Sequence, residues 1–325
     1  MPSVLVTEAW NCEVGGQEPW PEDVKLYQHY ETEQILLPDN ANCLAVQAFL
    51  KMCKLDFKVE YKPNADYMSP SGRVPFIKCG LYLVAELEPI VSFVGNKGIS
   101  LTKHLSATEK SDMRAYMSLV NTVLGNAENY ITWVDWPTYS QVTKQRFGSV
   151  HPFPLNHILV YKKRRSVIKK LSALGWYNKT IDQVYAEVDQ CCQALSERLE
   201  TSRYFFGDQP CELDAEVFGH VHNILSTPAF PAILKLAEIM CSYPPLMRHC
   251  KHIATDYLEF VDADENVVHL SCLTKLSLSP KQISEEKLDE FVFYCDEGKN
   301  EFDLEVHDVG SLTNPENTIY HSLFE

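Results

Sequence analysis

Apolar residues follow a strand-type pattern in the first part of the chain. The segment VKLYQHY, residues 24–30, alternates apolar and polar positions and is rich in β-forming residues, so it predicts a strand. We interpret Pro38-Asp39-Asn40 as a breaker, after which CLAVQAFLKMC, residues 43–53, repeats apolar residues at the spacing of a buried helix. DFKVEY, residues 56–61, predicts a second strand.

Two further strands and a helix complete this part. VPFIKCGLYLVAEL, residues 74–87, consists of two apolar runs on either side of Cys79-Gly80, which is typical of a β-hairpin. A helix through Ile90 and Phe93 is expected to end near Gly95 and Gly98. The order β, α, β, β, β, α predicts a thioredoxin-like domain with a parallel start and an antiparallel hairpin at its end.

After this point the apolar spacing is helical throughout. Met113, Met117, Val120 and Leu124 recur at spacings of three and four in a helix predicted over residues 108–133. We expect an interruption at Pro137 and at HPFPLNH, followed by helices over 158–174, 182–199, 213–225 and 246–258. The predicted organisation is an N-terminal extension (1–22), a thioredoxin-like domain (23–98), an all-helical domain (99–260) and a C-terminal extension (261–325).

The negative charge of the chain is concentrated in the C-terminal extension. The 325 residues carry a net charge of −15. Residues 261–325 contain 15 acidic and 4 basic residues, a net −11, whereas residues 1–260 contain 29 acidic and 25 basic residues, a net −4. Nucleic-acid binding requires a strong basic surplus, so we expect none here. We interpret the extension as an acidic segment that is partly ordered at most.

No apolar run approaches the roughly 20 residues of a membrane helix. The N-terminus, MPSVLVTEAWNCEVGG, lacks the features of a signal or transit peptide, so any membrane association is expected to be peripheral. The eleven cysteines show neither a CxxC pair nor the spacing of a zinc site. We therefore expect reduced thiols, no metal and no cofactor.

Two local motifs resemble glutathione transferases. In YMSPSGRVPFI, Pro75 stands where these enzymes place a cis proline before a strand, although a proline there is also compatible with a simple edge strand. In YFFGDQPCELDAEVFGHV, the helix that crosses the second domain is normally capped by Ser or Thr, with an Asp three residues later. Here Asp214 is present but Cys211 occupies the cap, and we expect this cap to be weaker by about 1 kcal/mol.

Longer phrases resemble the metaxin family, in the same order, across residues 18–221. They include EPWPED, QILLPDNANCLAVQAFLKMCKL, VAELEPIVSFV, PFPLNHILVYKK and DQVYAEVDQCCQALSERL. The resemblance implies a glutathione-transferase-like fold, no catalysis, and a peripheral position on the cytosolic face of the mitochondrial outer membrane. The implied partners are a metaxin-1-like membrane-anchored protein, the sorting and assembly machinery for β-barrel precursors, the cristae-organising complex and motor adaptors. Residues 261–325 carry no such resemblance.

The expected glutathione site is altered. Where transferases grip the γ-glutamyl group with Glu or Gln followed by Ser, this chain reads Glu86-Leu87-Glu88, so a hydroxyl is lost and a carboxylate is gained. Tyr27, Tyr30 and Cys43 are the candidates for activating a thiol, and each is better explained as a packed residue. A cytosolic glutathione-dependent transferase or reductase that uses Cys43 remains the alternative, since a helix N-terminus can lower a thiol pKa.

A cluster of basic residues is the most prominent charged feature of the body. It comprises Lys162, Lys163, Arg164, Arg165, Lys169 and Lys170, interspersed with Val167, Ile168 and Leu171. On a helix this pattern predicts an apolar stripe beside a dense cationic face. The face is either an ordinary solvated surface or a docking surface for anionic lipid, for an acidic partner, or for the acidic extension of the same chain.

Overall fold

A computed structural model describes residues 19–31, 34–227 and 231–258. Its N-terminal part contains four strands and three helices: β1 (Lys25–Gln28), α1 (Leu37–Met52), β2 (Lys58–Tyr61), α2 (Ala65–Met68), β3 (Phe76–Cys79), β4 (Tyr82–Ala85) and α3 (Leu87–Asn96). Helices follow: α4 (Ala107–Trp133), α5 (Trp136–Thr138), a π-helical turn (Tyr139–Thr143), α6 (Lys144–Ser149), α7 (Leu155–Ala173), α8 (Ile181–Leu199), α9 (Glu212–Ser226), α10 (Pro231–Cys241) and α11 (Pro244–Tyr257).

The four strands form one mixed sheet in the order β2-β1-β3-β4. Strand β1 runs parallel to β2 with Leu26 opposite Val59, and antiparallel to β3 with Leu26 opposite Ile77. Strands β3 and β4 pair as the antiparallel hairpin that the sequence predicts. The parallel start and antiparallel end confirm the thioredoxin-like arrangement, to which the structure adds the short helix α2 between β2 and β3.

The predicted breaker at Pro38-Asp39-Asn40 is wrong. These residues form the first turn of α1, which begins at Leu37. Proline is tolerated in a first turn because the backbone N–H groups there have no intrahelical acceptor. Cys43 consequently lies almost two turns inside the helix and not at its N-terminus.

The predicted interruption at Pro137 is also wrong in its extent. Pro137 lies in the first turn of α5, and helical backbone continues through the π-helical turn into α6. A non-helical break follows only at residues 150–154, within the predicted HPFPLNH segment. Helix α10 lies in a segment for which the sequence pattern predicted no helix.

Helix α9 lies at the centre of the molecule, and most of its residues are buried. It packs directly against α1, so the sheet-containing part and the helical part share one core. Asn223 of α9 donates a hydrogen bond to the carbonyl oxygen of Leu37 (2.7 Å) and accepts one from Asn40 (2.8 Å). All described residues belong to one compact unit, and the division at residue 98 stays a prediction. The predicted extensions lie outside the described residues, apart from residues 19–22.

Candidate functional site

The N-terminus of α1 is the place where the resemblance to glutathione transferases implies a thiol-activating group. Leu36 occupies the N-cap without a side-chain hydrogen bond, and Leu37 and Pro38 follow it. The first turn also carries Asp39, whose carboxylate would oppose a thiolate. The N-cap and first turn of α1 therefore consist of two buried leucines, a proline and an acid, and not of the hydroxyl, phenol or thiol that activates glutathione.

Cys43 is unsuited to act as a nucleophile. Its side chain is fully buried in an apolar cluster with Ile35, Ala65 and Phe76. Burial raises the pKa of the Cys43 thiol well above its usual value, and the carboxylate of Asp39 raises it further. Since only the thiolate reacts, Cys43 remains a protonated core residue at neutral pH.

The two tyrosines considered as thiol-activating groups lie in different environments. Tyr27 is partly buried, and its ring stacks on that of Phe76 with the centroids 4.8 Å apart and the planes 5° from parallel. Tyr30 lies at the surface beyond the end of β1. Tyr27 is thus a packed aromatic residue, as the alternation of β1 indicates.

Glu86 and Leu87 occupy the position of the γ-glutamyl grip. Glu86 has a positive φ of 69°, its backbone N–H donates to the carbonyl oxygen of Pro75 (3.0 Å), and its carboxylate pairs with Arg73 (3.0 Å). The Val74–Pro75 peptide is cis. Leu87 packs against the core. The cis peptide agrees with the cis proline that the resemblance implies, while Glu86 pairs with Arg73 and Leu87 packs against the core.

Between α1, α4, α7 and the cis-proline loop lies a small charged cleft, which we call the interdomain cleft. Its volume is about 110 Å³, below the roughly 300 Å³ at which pockets for drug-sized ligands begin. The lining residues are Pro38, Asp39, Asn42, Arg73, Val74, Glu86, Asn121, Gly125, Glu128, Asn129, Lys170 and His220. The charged residues of this lining are of both signs: Asp39, Glu86 and Glu128 are acidic, and Arg73 and Lys170 are basic.

Buried Glu128 lines the interdomain cleft, and a second buried carboxyl group, Glu216, lies one turn before His220 on α9. Glu128 accepts a hydrogen bond from His220 Nδ1 or donates one to it at 3.0 Å, and both side chains are almost fully buried. Burial raises the pKa of Glu128; for His220, burial lowers the pKa but the Glu128 carboxylate raises it more, leaving it above its usual value. Glu216, one turn before His220, is bonded to Asn121, and burial raises its pKa to about 7.

Asp214 is the centre of a buried hydrogen-bond network in the transferase-like folding motif. Its carboxylate accepts from the backbone N–H groups of Cys211 (2.8 Å) and Phe205 (3.0 Å). Cys211 Sγ donates to the same carboxylate (3.0 Å), and His249 Nε2 lies 2.8 Å from it. Asp214 therefore joins the cap of α9 to the preceding loop and to α11, whereas Cys211 contributes a weak donor to the cap.

The six predicted docking residues do not share one face of α7. Lys162, Arg165 and Lys169 are exposed on the outward face. Arg164 turns inward: its Nε donates to the carbonyl oxygen of Trp133 (3.1 Å), and its guanidinium lies 4.0 Å from the ring centroid of Tyr139. Lys170 lines the interdomain cleft, where burial and the nearby Arg73 lower its pKa.

The predicted apolar stripe is also only partly correct. Of the predicted stripe, Leu171 is buried and Val167 packs against the core, whereas Ile168 is partly buried. Outside the stripe, Ile158 and Tyr161 are largely exposed. Lys163 is partly buried, and Lys170 is exposed although it lines the cleft. The sequence pattern thus identified the basic helix correctly but assigned all six charges to one surface.

Several residues that characterise the altered glutathione site were not predicted from the sequence. Leu36 and Leu37 mark the place where a helix N-terminus lacks an activating group. The proline at position 38, allowed in a first helical turn, was the available signal, but it was interpreted as a breaker. Buried Glu128 and Glu216 gave no sequence signal, because their periodicity on α4 and α9 does not distinguish a buried carboxylate from a solvated one.

Within the ranges that the structure describes, every helix falls short of the length and apolarity that a bilayer-spanning segment requires.

Comparisons with known proteins identify the family. A family model for an outer mitochondrial membrane transport complex protein matches residues 43–164, and one for the C-terminal domain of glutathione S-transferase matches residues 188–253. The second match and the element order confirm the glutathione-transferase-like fold predicted from the sequence. Glutathione transferase F7 from Populus trichocarpa aligns over 76% of this chain and 99% of its own, with 13% identity and a TM-score of 0.45.

Two relatives are similar to this chain over most of its length. Metaxin-2 from Mus musculus is 52% identical over 255 residues, which cover 78% of this chain and 96% of that protein. Metaxin-1 from Mus musculus is 28% identical over 233 residues, which cover 68% of this chain and 71% of that protein. With a relative of 52% identity that spans most of both sequences, this chain belongs to the metaxin family.

Proposed function

We propose that this chain is a non-enzymatic subunit of a transport complex of the outer mitochondrial membrane and acts in protein import. The matches to Metaxin-2 and to the outer-membrane transport complex model support this role. The single observation that carries the non-enzymatic part is the N-terminus of α1, where Leu36 and Leu37 stand beside the N–H groups that would stabilise a thiolate.

The local chemistry supports a binding role in preference to catalysis. A transferase lowers the pKa of a thiol in a partly exposed, electropositive setting. Here Cys43 is fully buried with a raised pKa, and the interdomain cleft is small and lined by Asp39, Glu86 and Glu128. The alternative function, a glutathione-dependent transferase or reductase that uses Cys43, has no observation in its favour beyond the fold.

The finer part of the proposal follows the resemblance to the family. We propose that the chain lies on the cytosolic face of the outer membrane and pairs there with a metaxin-1-like membrane-anchored partner. Within that assembly it acts with the sorting and assembly machinery on β-barrel precursors. We also propose contacts with the cristae-organising complex and with motor adaptors, again from the resemblance to the family.

Affinity purification of the tagged full chain from solubilised mitochondria tests complex membership. We expect a membrane-anchored metaxin-family protein and β-barrel assembly components to co-purify, while a tagged cytosolic glutathione transferase prepared in parallel retains none of them. Absence of the chain from the mitochondrial fraction would contradict the proposal.

Calorimetry with glutathione tests the non-enzymatic part separately. We expect no heat of binding at millimolar glutathione, with an active transferase as the positive control. Measurable uptake of glutathione, or turnover of a model electrophile, would overturn the non-enzymatic assignment even if the chain proved to be a complex subunit.

A further inference from the structure

Helix α7 presents an unusual combination of side chains to solvent. Phe153, just before the helix, is 80% exposed, and Ile158 and Tyr161 on its first half are 57% and 63% exposed. Such large apolar side chains are normally covered, and several together mark an interaction surface. Further along the outward face, the exposed residues are the basic Lys162, Arg165 and Lys169.

These residues share one face but differ along the helix axis. With roughly 100° of rotation per residue, Ile158, Lys162, Arg165 and Lys169 project within a sector of about 60°. The apolar residues come first and the cationic residues follow. The outward face of α7 is therefore apolar toward the N-terminus of the helix and cationic further along it. This change along the axis adds to the usual contrast between the buried and exposed sides of the helix.

The opposite face of α7 fixes this surface rigidly in place. Val160 and Leu171 are buried, and Arg164 is held by the Trp133 carbonyl oxygen and the Tyr139 ring. The exposure of Ile158 and Tyr161 is thus a property of a packed helix and not of a frayed one. We call the set Phe153, Leu155, Ile158, Tyr161, Lys162, Arg165 and Lys169 the outward surface of α7.

The positive charge of the outward surface has no internal counter-charge in the described part of the chain. Helix α7 contains no Asp or Glu in its 19 residues. Among the described residues, no carboxylate forms an ion pair with Lys162, Arg165 or Lys169, and the Arg165 guanidinium instead bonds to the Tyr161 hydroxyl (3.3 Å). On a chain of net charge −15, this is a local surface that attracts anions.

We propose that the outward surface of α7 docks on an anionic lipid bilayer. The cationic half would contact headgroup phosphates, and the side chains of Phe153, Ile158 and Tyr161 would enter the boundary between headgroups and acyl chains. Aromatic, aliphatic and Lys/Arg side chains in this arrangement are typical of helices that lie in the membrane interface. The convex shape of a packed helix favours a deformable lipid surface over a peptide, which binds most readily in a groove.

This inference goes beyond the proposed function because it gives the chain a membrane contact of its own, in addition to any anchored partner. The proposed outer-membrane location enters this inference only through the choice of lipid for the vesicles. Vesicles without partner proteins test it, so failure of vesicle binding would leave complex membership standing, and failure of complex membership would leave vesicle binding standing.

Flotation of the full chain with vesicles of neutral lipid alone, and with vesicles that also contain anionic lipid, measures the contact. We expect binding to anionic vesicles that weakens as salt screens the charges. The triple variant Lys162→Ala, Arg165→Ala, Lys169→Ala should reduce the partition coefficient on the order of 100-fold, since each basic residue near such a surface contributes about 1 kcal/mol. The double variant Ile158→Ser, Tyr161→Ser should also weaken binding, with little change in its salt dependence.

The matched control removes the same charge elsewhere. Lys78, Arg114 and Lys251 are exposed and lie outside α7, so the triple variant Lys78→Ala, Arg114→Ala, Lys251→Ala changes the net charge equally. It should bind vesicles nearly as well as the unaltered chain. Circular dichroism and thermal unfolding of each variant verify that it is folded.

Three results would overturn the proposal. One is a full chain that does not float with anionic vesicles at low salt. Another is an equal loss of binding in the control and α7 triple variants. The third is cross-linking of Lys162 to the acidic residues 261–325 that persists in the presence of anionic vesicles, since this would identify the extension, and not lipid, as the occupant of the surface.

Discussion

Gly219 of α9 faces Ala45 of α1 so closely that a Cβ placed on Gly219 would lie 2.8 Å from Ala45 Cβ. The backbone of α1, at Ala41 and Ala45, stands in the way as well. The absence of a side chain therefore sets how near the central helix of the helical part can come to the first helix of the sheet-containing part. The same crossing contains the hydrogen bond from Asn223 to the Leu37 carbonyl oxygen.

Replacing Gly219 with Ala should destabilise the protein by at least about 2 kcal/mol, since the added methyl group meets backbone that cannot move without shifting a whole helix. Urea unfolding monitored by circular dichroism measures the change. Gly95→Ala is the control: a Cβ there meets no atom within 4 Å, and Ala should be neutral or slightly stabilising in α3. Equal stability of the Gly219→Ala variant and the unaltered chain would contradict the close approach.

Cys211→Ser should stabilise the protein by about 1 kcal/mol, because a hydroxyl caps a helix N-terminus better than a thiol and donates more strongly to Asp214. Thermal and urea unfolding give the difference. Cys250→Ser controls for burial alone: that thiol is buried in the core, and a hydroxyl there should cost about 1–3 kcal/mol. Destabilisation of both variants to the same degree would show that position 211 acts only as a core residue.

Glu216→Gln should change how stability depends on pH. Burial raises the pKa of Glu216 to about 7 in the folded protein, above the value near 4.3 of an unfolded chain. The folded state therefore binds the extra proton between these values, and the contribution to stability is fully present below about pH 4.3 and is lost as pH rises through about 7.

The variant keeps an oxygen that can accept from Asn121 but has no charge to bury. Relative to the unaltered chain it should gain on the order of 3 kcal/mol between pH 4 and pH 8. Urea unfolding at a series of pH values measures this, with the exposed Glu197→Gln as control. A difference that does not vary with pH would mean that the Glu216 carboxyl titrates normally.

Arg164→Ala should destabilise the protein by about 1–2 kcal/mol, because it removes the hydrogen bond to Trp133 and the contact with the Tyr139 ring. Lys162→Ala, two residues earlier on the exposed side, should change stability by less than about 0.5 kcal/mol. Thermal unfolding of the two variants compares them directly. Similar effects of the two substitutions would contradict the division of the basic cluster between a packed side and an exposed one.

Much of the fold was predictable from local pattern. Strand β1 and the β3–β4 hairpin were found because alternation and turn chemistry act over a few residues, and α8 and α9 because their apolar spacing is regular. The errors at Pro38 and Pro137 arose at positions where proline can begin a helix as well as end one. Only the hydrogen bonding of the neighbouring turns decides between these outcomes.

The site was predictable in its chemistry but not in its geometry. Leu87 in the place of a serine was visible in the sequence, as was the concentration of basic residues in α7. The sequence alone did not show that Arg164 packs on Tyr139 or that Lys170 lines the interdomain cleft. Those positions depend on the side chains that α4 and the following turn bring against α7.

The sequence by itself determined the family and most of the order of strands and helices, since these depend on residue identity and near neighbours. The tertiary structure alone decided which charges are buried and which reach solvent. Burial keeps the Cys43 thiol protonated and unreactive, and burial raises the pKa of Glu216. The residues of the basic cluster lie in three environments: the outward face of α7, the contact with Tyr139 and the interdomain cleft. Burial is a property of packing between segments far apart in the chain, so no local pattern encodes it.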